Sequence, residues 1–205
     1  MSDKPRYEAY TSPVGEAVFP WITKADTTYV ATGVFKTDLS VPFEQAQDFI
    51  AKLEKARADF IATLPTAKQG ALTPRPVYSD EYTRPDYPED ATDDEKKAIR
   101  DAWVGELTGN VLFRFKLKAH VDTDDGGFDQ SPVVVDAATG ERVADPVFGG
   151  SIVRVRGQIV PYTNNAAATV GVTLRMKAVQ VIEIVSGGGD GSFWTDFGRE
   201  DEAES

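Results

Sequence analysis

The sequence predicts a mainly β protein built around a small barrel, with one main helix and a long loop excursion that carries a second short helix. Three observations predict this. Several segments alternate apolar and polar residues with the period of two expected of a half-buried strand. The clearest are VLFRFKLKAH (111–120), VRVRGQIVPYTNN (153–165) and TVGVTLRMKAVQVIEIV (169–185). One stretch alone holds a long helical spacing. The order is strands, a helix, a loop with a second helix, then more strands, a pattern that suits a small β-barrel.

Each element has its local reason. SPVGEAVFPWIT (12–23) sets turn residues around a short apolar run and predicts a loop plus a short strand. TTYVATGVFKTDLS (27–40) is β-rich, with Gly33 at a bulge or a close contact. Pro42 opens a helix in which Phe43, Ala46, Phe49, Ile50, Leu53, Ala56, Phe60 and Leu64 recur at three- and four-residue spacing, and Pro65 ends it. Residues 68–90 are rich in proline, tyrosine and acids without periodicity, and predict an excursion over the surface, within a wider excursion at 66–108. Thr92 with Glu95 three positions later predicts a capped helix start, continued by Ile99, Ala102 and Trp103. PVVVD and the ATGER turn predict a hairpin, and the phase of alternation changes around Ala178, as at a bulge. GGGDG ends the folded part, so the organisation expected is one domain over 1–186 and an acidic, flexible C-terminal tail over 187–205.

Composition narrows the function. At 205 residues and 41% hydrophobic content the chain can bury a real core. No apolar run approaches the roughly 20 residues of a membrane span. The opening MSDKPRYEAY has no apolar signal core, so the expected location is cytoplasmic. There is no cysteine, and the single histidine, His120, cannot build a usual zinc site alone. The net charge of -11 is concentrated: 80–95 carries eight acids against one arginine and 190–205 six against one, which leaves the rest at +1. A near-neutral body can carry a local basic groove.

Such a groove is visible in the alternation. Arg114, Lys116 and Lys118 form one row, Arg154 and Arg156 a second, Arg175 and Lys177 a third, and none of these rows contains an acid. A row of charge on one strand usually marks only the wet face of an antiparallel sheet. Three rows of one sign on neighbouring strands would set like charges opposite each other, a cost that an anionic ligand relieves. Tyr162 shares the parity of the two β-strand arginines before it and could stack on a base. Trp21 and Tyr29 are weaker stacking candidates, for which core packing is the favoured reading. In the tail, Phe193, Trp194 and Phe197 stand among Glu200, Asp201, Glu202 and Glu204, either as a solvated end or as a segment that competes for the groove or docks on a basic partner.

Enzyme signals fail on inspection. DTDDGG (122–127) lacks the spacing and terminal glutamate of a calcium loop, and GGGDG is not followed by the Lys-Ser/Thr of a phosphate loop. One histidine on a basic strand supports no Ser/His/Asp grouping. A metal-dependent nuclease stays open as a third reading, although its paired acids would come from clusters in loops, where solvation is the favoured account. No catalytic residue, metal or cofactor is therefore expected.

GVFKTDLSVP (33–42), FRFKLKA (113–119), VVVDAATGERVADPVFGGSIVRVRGQIVPY (133–162), VTLRMKAVQVIEIV and the GGG before an acidic end together resemble the single-stranded DNA-binding proteins of T7-type phages. The matching segments keep their order over most of the chain. The resemblance implies a five-stranded Greek-key OB-fold that coats and protects single strands in phage replication and recombination, without strong sequence preference. It implies host-cell cytoplasm as the location, contacts of the acidic tail with replication proteins such as polymerase and primase-helicase, and a bearing on dimer formation, so that a homodimer is open. By position it adds Lys36, from the Gly-Val-aromatic-Lys motif, to the DNA-binding set of Arg114, Lys116, Lys118, Arg154, Arg156, Tyr162, Arg175 and Lys177. Thr32 departs from the family's arginine, Lys118 replaces an aromatic, and the tail is short and ends in Ser205. The runner-up from another class is a phage structural or assembly protein whose β-barrel binds protein.

Overall fold

A computed structural model of the protein describes residues 7–123 and 126–185. The tail at 187–205, with Phe193, Trp194, Phe197 and its acids, lies outside the described residues. In chain order the elements are β1 (Glu8–Thr11), β2 (Gly15–Asp26), β3 (Val34–Pro42), α1 (Phe43–Thr63), α2 (Thr66–Gln69), β4 (Thr73–Pro74), β5 (Ser79–Tyr82), α3 (Asp93–Ala102), β6 (Leu107–Lys118), β7 (His120–Val121), β8 (Phe128–Asp129), β9 (Val133–Asp136), β10 (Ile152–Asn164) and β11 (Thr169–Glu183). The fold is mainly β, as the alternation requires. None of the described helices is long and apolar enough to cross a membrane.

The long strands pair in a circuit. β10 meets β2, β2 meets β3, β3 meets β6, β6 meets β11, and β11 returns to β10. All these pairings are antiparallel except β6 with β11. The inward side chains of the circuit converge on one core, in which Leu39, Phe113, Phe115, Val153, Val155 and Met176 are fully buried. Helix α1 buries Ala46, Phe49, Ile50 and Leu53 against it, a stripe spaced by three and four residues. The ring of Phe49 meets that of Phe113 edge-on at 5.0 Å. The predicted stripe was wider: Phe43 is 45% exposed, and Phe60 and Leu64 are only half-buried, because the helix outruns the core it covers.

The excursion does more than cross the surface. Among the described residues, β6 and β11 pair in register only at Phe115–Leu174 and Lys116–Arg175. Ahead of that contact β5 takes the free edge of β6 and β4 takes that of β11, so the excursion wedges between the two strands and extends the sheet. α3 starts as its sequence requires, with a capping box between Thr92 and Glu95.

Other expectations need correction. The stretch at 12–23 is mostly a long strand, β2, which absorbs Phe19 and Pro20 at a register shift between Val18 and Trp21. Phe19 there has a φ of 49°, strained for an aromatic residue, and its ring is 66% exposed beneath the Arg84 guanidinium. α2 is a further short helix after Pro65. Residues 133–143 do fold back through a Val135–Arg142 bridge, but β9 pairs mainly with β11, in parallel. Tyr29 is 91% exposed in the turn before β3, so it is not core. Gly33, in contrast, meets its expectation: its φ is 79° and a Cβ there would lie 2.9 Å from that of Ala25.

One buried group is unpaid by any partner. The Tyr10 ring packs between Phe49 and Phe115, and its hydroxyl, pushed well above its ordinary pKa by burial, has no hydrogen bond among the described residues. It lies where a Cβ on Gly157 would come within 2.6 Å, and the same Cβ would collide with the Arg175 carbonyl. An unsatisfied buried hydroxyl costs about 1–3 kcal/mol. Tyr10→Phe is therefore expected to raise stability by about 1 kcal/mol in urea unfolding, while Gly157→Ala lowers it.

Candidate nucleic-acid interface

The outer face of the circuit is set by strand parity and register together. On β6 the residues Phe113, Phe115 and Leu117 point inward, so Arg114, Lys116 and Lys118 point outward and are exposed. On β10, Arg154, Arg156, Gln158, Val160 and Tyr162 share the outer face. On β11 the outer residues are Thr173, Arg175 and Lys177, after which a bulge shifts the phase to Ala178 and Gln180. The phase change read from the sequence around Ala178 is this bulge.

Register turns these separate rows into a band. Trp21 on β2 lies opposite Lys36 on β3, Lys36 opposite Lys116 on β6, Lys116 beside Arg175 on β11, and Arg175 opposite Gln158 on β10. Neighbouring strands are about 4.8 Å apart, so Lys36, Lys116 and Arg175 lie side by side. Arg154 and Arg156 continue the same face along β10, opposite Gln180 and Ala178. Lys118 lies one outward step beyond Lys116, opposite Val34. Like charges therefore adjoin at Lys36–Lys116–Arg175, but the other basic residues face neutral or acidic partners.

The acids come from β2 and β3. Asp26 holds Lys36 at 2.5 Å. Asp38, directly opposite Arg114, accepts a two-pronged contact from its guanidinium, 3.0 Å from Nε and 2.9 Å from Nη2. Arg175 lies 5.2 Å from the ring centre of Tyr7, a cation–π contact. Lys177 reaches Gln130 at 3.4 Å. Lys116, Lys118, Arg154 and Arg156 have no hydrogen bond or ion pair among the described residues. They are the free cations of the face.

Beside the band runs a groove of about 590 Å³. Arg114, Lys116 and Tyr162 line it, together with Asp38, Arg75 and Tyr78. The Tyr162 ring lies over Gly171, its partner across the strands, where a Cβ would come within 2.9–3.0 Å of the ring and hydroxyl. Glycine at that position lets the ring lie flat on the sheet while it stays half-exposed. Tyr78 is anchored by ring contacts with Phe43 and Phe113. Arg75 is exposed and arrives from the excursion, its N–H donating to the Val170 carbonyl.

Sequence reasoning placed Arg114, Lys116 and Tyr162 in one basic, aromatic surface, held Trp21 as a weaker stacking candidate, and missed Arg75, Asp26 and Asp38. Asp38 was within reach, since it shares the parity of Lys36 two residues earlier. Arg75 sits in a stretch without periodicity and had no signal. His120 stands apart on β7, where Asp129 at 2.7 Å and Asp122 raise its pKa.

A scan against protein-family models finds no match, and a search of curated proteins finds none either. Among solved structures, the chain is similar to gp2.5, a single-stranded DNA binding protein encoded by bacteriophage T7, with 23% identity and a TM-score of 0.63 over 98% of this chain and 100% of that one. It is also similar to the single-stranded DNA-binding protein from bacteriophage Enc34 in complex with ssDNA, with 10% identity and a TM-score of 0.50 over 87% of this chain and 88% of that one. These likenesses establish a shared fold.

The Asp26–Lys36 pair has a measurable consequence. Hydrogen bonds from Lys36 and from Thr28 lower the Asp26 carboxyl from 3.8 to about 2. A carboxyl whose folded value is depressed stabilises the fold above its unfolded value and loses that contribution as pH falls through the folded one. The wild-type chain is expected to lose stability between about pH 4 and pH 2 by this route, and Asp26→Asn to show a smaller loss across that window in urea unfolding.

Proposed function

We propose that this chain is a non-enzymatic, single-stranded DNA-binding protein of the phage type, which holds phosphates on its outer basic face and stacks bases on Tyr162. The observation that carries this is the register that sets Lys36, Lys116 and Arg175 side by side next to a groove holding a half-exposed tyrosine. Like charges in contact are unfavourable in an empty sheet and favourable under a polyanion. The flat ring suits bases of any identity, so binding without strong sequence preference follows.

The fold likeness supports the same reading, since the T7 and Enc34 proteins are single-stranded DNA-binding proteins by name. We read the five-strand circuit as an OB-fold barrel whose folded unit spans 1–186. We assign the acidic segment 187–205, through Phe193, Trp194, Phe197 and its acids, to contacts with replication proteins and to competition for the basic face. Replication and recombination are the processes in which such coating of single strands serves.

Within the DNA-binding set the free cations should dominate the salt dependence. Each phosphate contact on a single strand contributes about -0.7 to the log-log slope of affinity against salt. Replacing Arg154 and Arg156 together by Ala should make the slope shallower by up to about 1.4. Tyr162→Ala should weaken binding by about 1–3 kcal/mol with little change in slope. Fluorescence anisotropy with poly-dT and with duplex DNA, at two salt concentrations, measures both. Absence of binding to poly-dT at low salt would sink the reading and favour a protein-binding barrel.

Deletion from Asp190 onward is expected to tighten binding of poly-dT in the same assay, because a tethered polyanion is removed. Unchanged or weaker binding would remove the competitor role from the tail.

A further inference from the structure

We propose that Asp38 is a built-in competitor for phosphate on Arg114, and that it holds the affinity of this face below what its cations alone would reach. The inference rests on the single-stranded DNA reading above and adds a regulating residue to it.

The geometry is specific. Asp38 and Arg114 are directly opposed on adjacent antiparallel strands. The two carboxylate oxygens take Nε and Nη2 of the guanidinium at 3.0 and 2.9 Å. A phosphate presents its oxygens to a guanidinium in the same forked arrangement, so the two anions contend for the same donors. Asp38 is set low in the groove, with its side chain 18% exposed, while Arg114 lies over it at 67%. The register fixes Asp38 directly opposite Arg114, so its charge stays next to any phosphate that reaches that guanidinium.

The fold makes no other use of this carboxylate. Among the described residues its oxygens accept hydrogen bonds from Arg114 alone. Asp26 differs: besides holding Lys36 it accepts from the Thr28 N–H and so closes the turn after β2. Asp38 also lines the same groove as Lys116, Arg75 and Tyr162, where any bound strand would pass. Its charge thus acts on the ligand path rather than on the core.

The test is anisotropy of a labelled dT oligonucleotide against the full chain and Asp38→Asn, from 50 to 300 mM salt. The amide keeps the side-chain shape and removes the charge. The expected result is about threefold to tenfold tighter binding at the lowest salt and a salt slope steeper by about 0.7, one more phosphate engaged. In an Arg114→Ala background the steepening should vanish, because no cation is left to release. Asp38→Ser should reproduce the gain if the Asn variant folds poorly. Equal or weaker binding by both variants, with an unchanged slope and a wild-type unfolding midpoint, would overturn the competitor role alone and make Asp38 a positioning residue for Arg114. A wild-type chain that fails to bind the oligonucleotide would overturn this inference and the functional reading together.

Discussion

Nine consecutive residue pairs tie Val34–Pro42 of β3 to β6 without a break, from Val34 opposite Lys118 to Pro42 opposite Asn110. The rest of the structure depends on that register. It sends Phe35 and Leu39 into the same core as Leu117, Phe113 and Phe115. It also sends Lys36 and Asp38 to the same outer face as Lys116 and Arg114. A slip of one residue would turn every side chain of β3 to the wrong side. Burial of the phenylalanines therefore locates the charges: the apolar pattern fixes the register, and the register aligns the basic band.

The band carries its own restraint. Positive side chains from β3, β6 and β11 adjoin, and two acids from β2 and β3 neutralise two of the cations. One pair, Asp26 with Lys36, is tied into the turn that joins the strands. The other, Asp38 with Arg114, has no further side-chain partner among the described residues. Of the free cations, Lys116 sits within the band, while Lys118, Arg154 and Arg156 lie further along β6 and β10. A face arranged in this way has two of its cations neutralised and keeps a net positive charge along a path that a flexible polyanion can follow. The bulge in β11 turns both Lys177 and Ala178 outward.

Much of this was legible in the chain. The alternation of 111–120, 153–165 and 169–185 named the inward and outward residues of β6, β10 and β11, and the phase change at Ala178 marked its bulge. Helix α1 and the capping box of α3 followed from spacing and from Thr92 with Glu95. The misses have local causes. PW after Phe19 reads as one apolar run, and only the kink in β2 turns Phe19 and Trp21 outward. Residues 68–90 have no periodicity because β4 and β5 are short and held by neighbours, β11 and β6, rather than by their own pattern. Arg75 enters the groove on that segment and could not be seen from a chain position.

The amino-acid sequence by itself determined which side chains share a face within each strand, since that follows from the two-residue repeat of an extended backbone. It determined the basic rows and the tyrosine on their parity. Only the tertiary structure decided which row lies beside which, that Asp38 faces Arg114, and that Lys36, Lys116 and Arg175 adjoin. The physical reason is that strands recognise one another through backbone groups common to every residue. Partner and register are then settled by how the buried side chains of distant segments pack together, and no single strand carries that information.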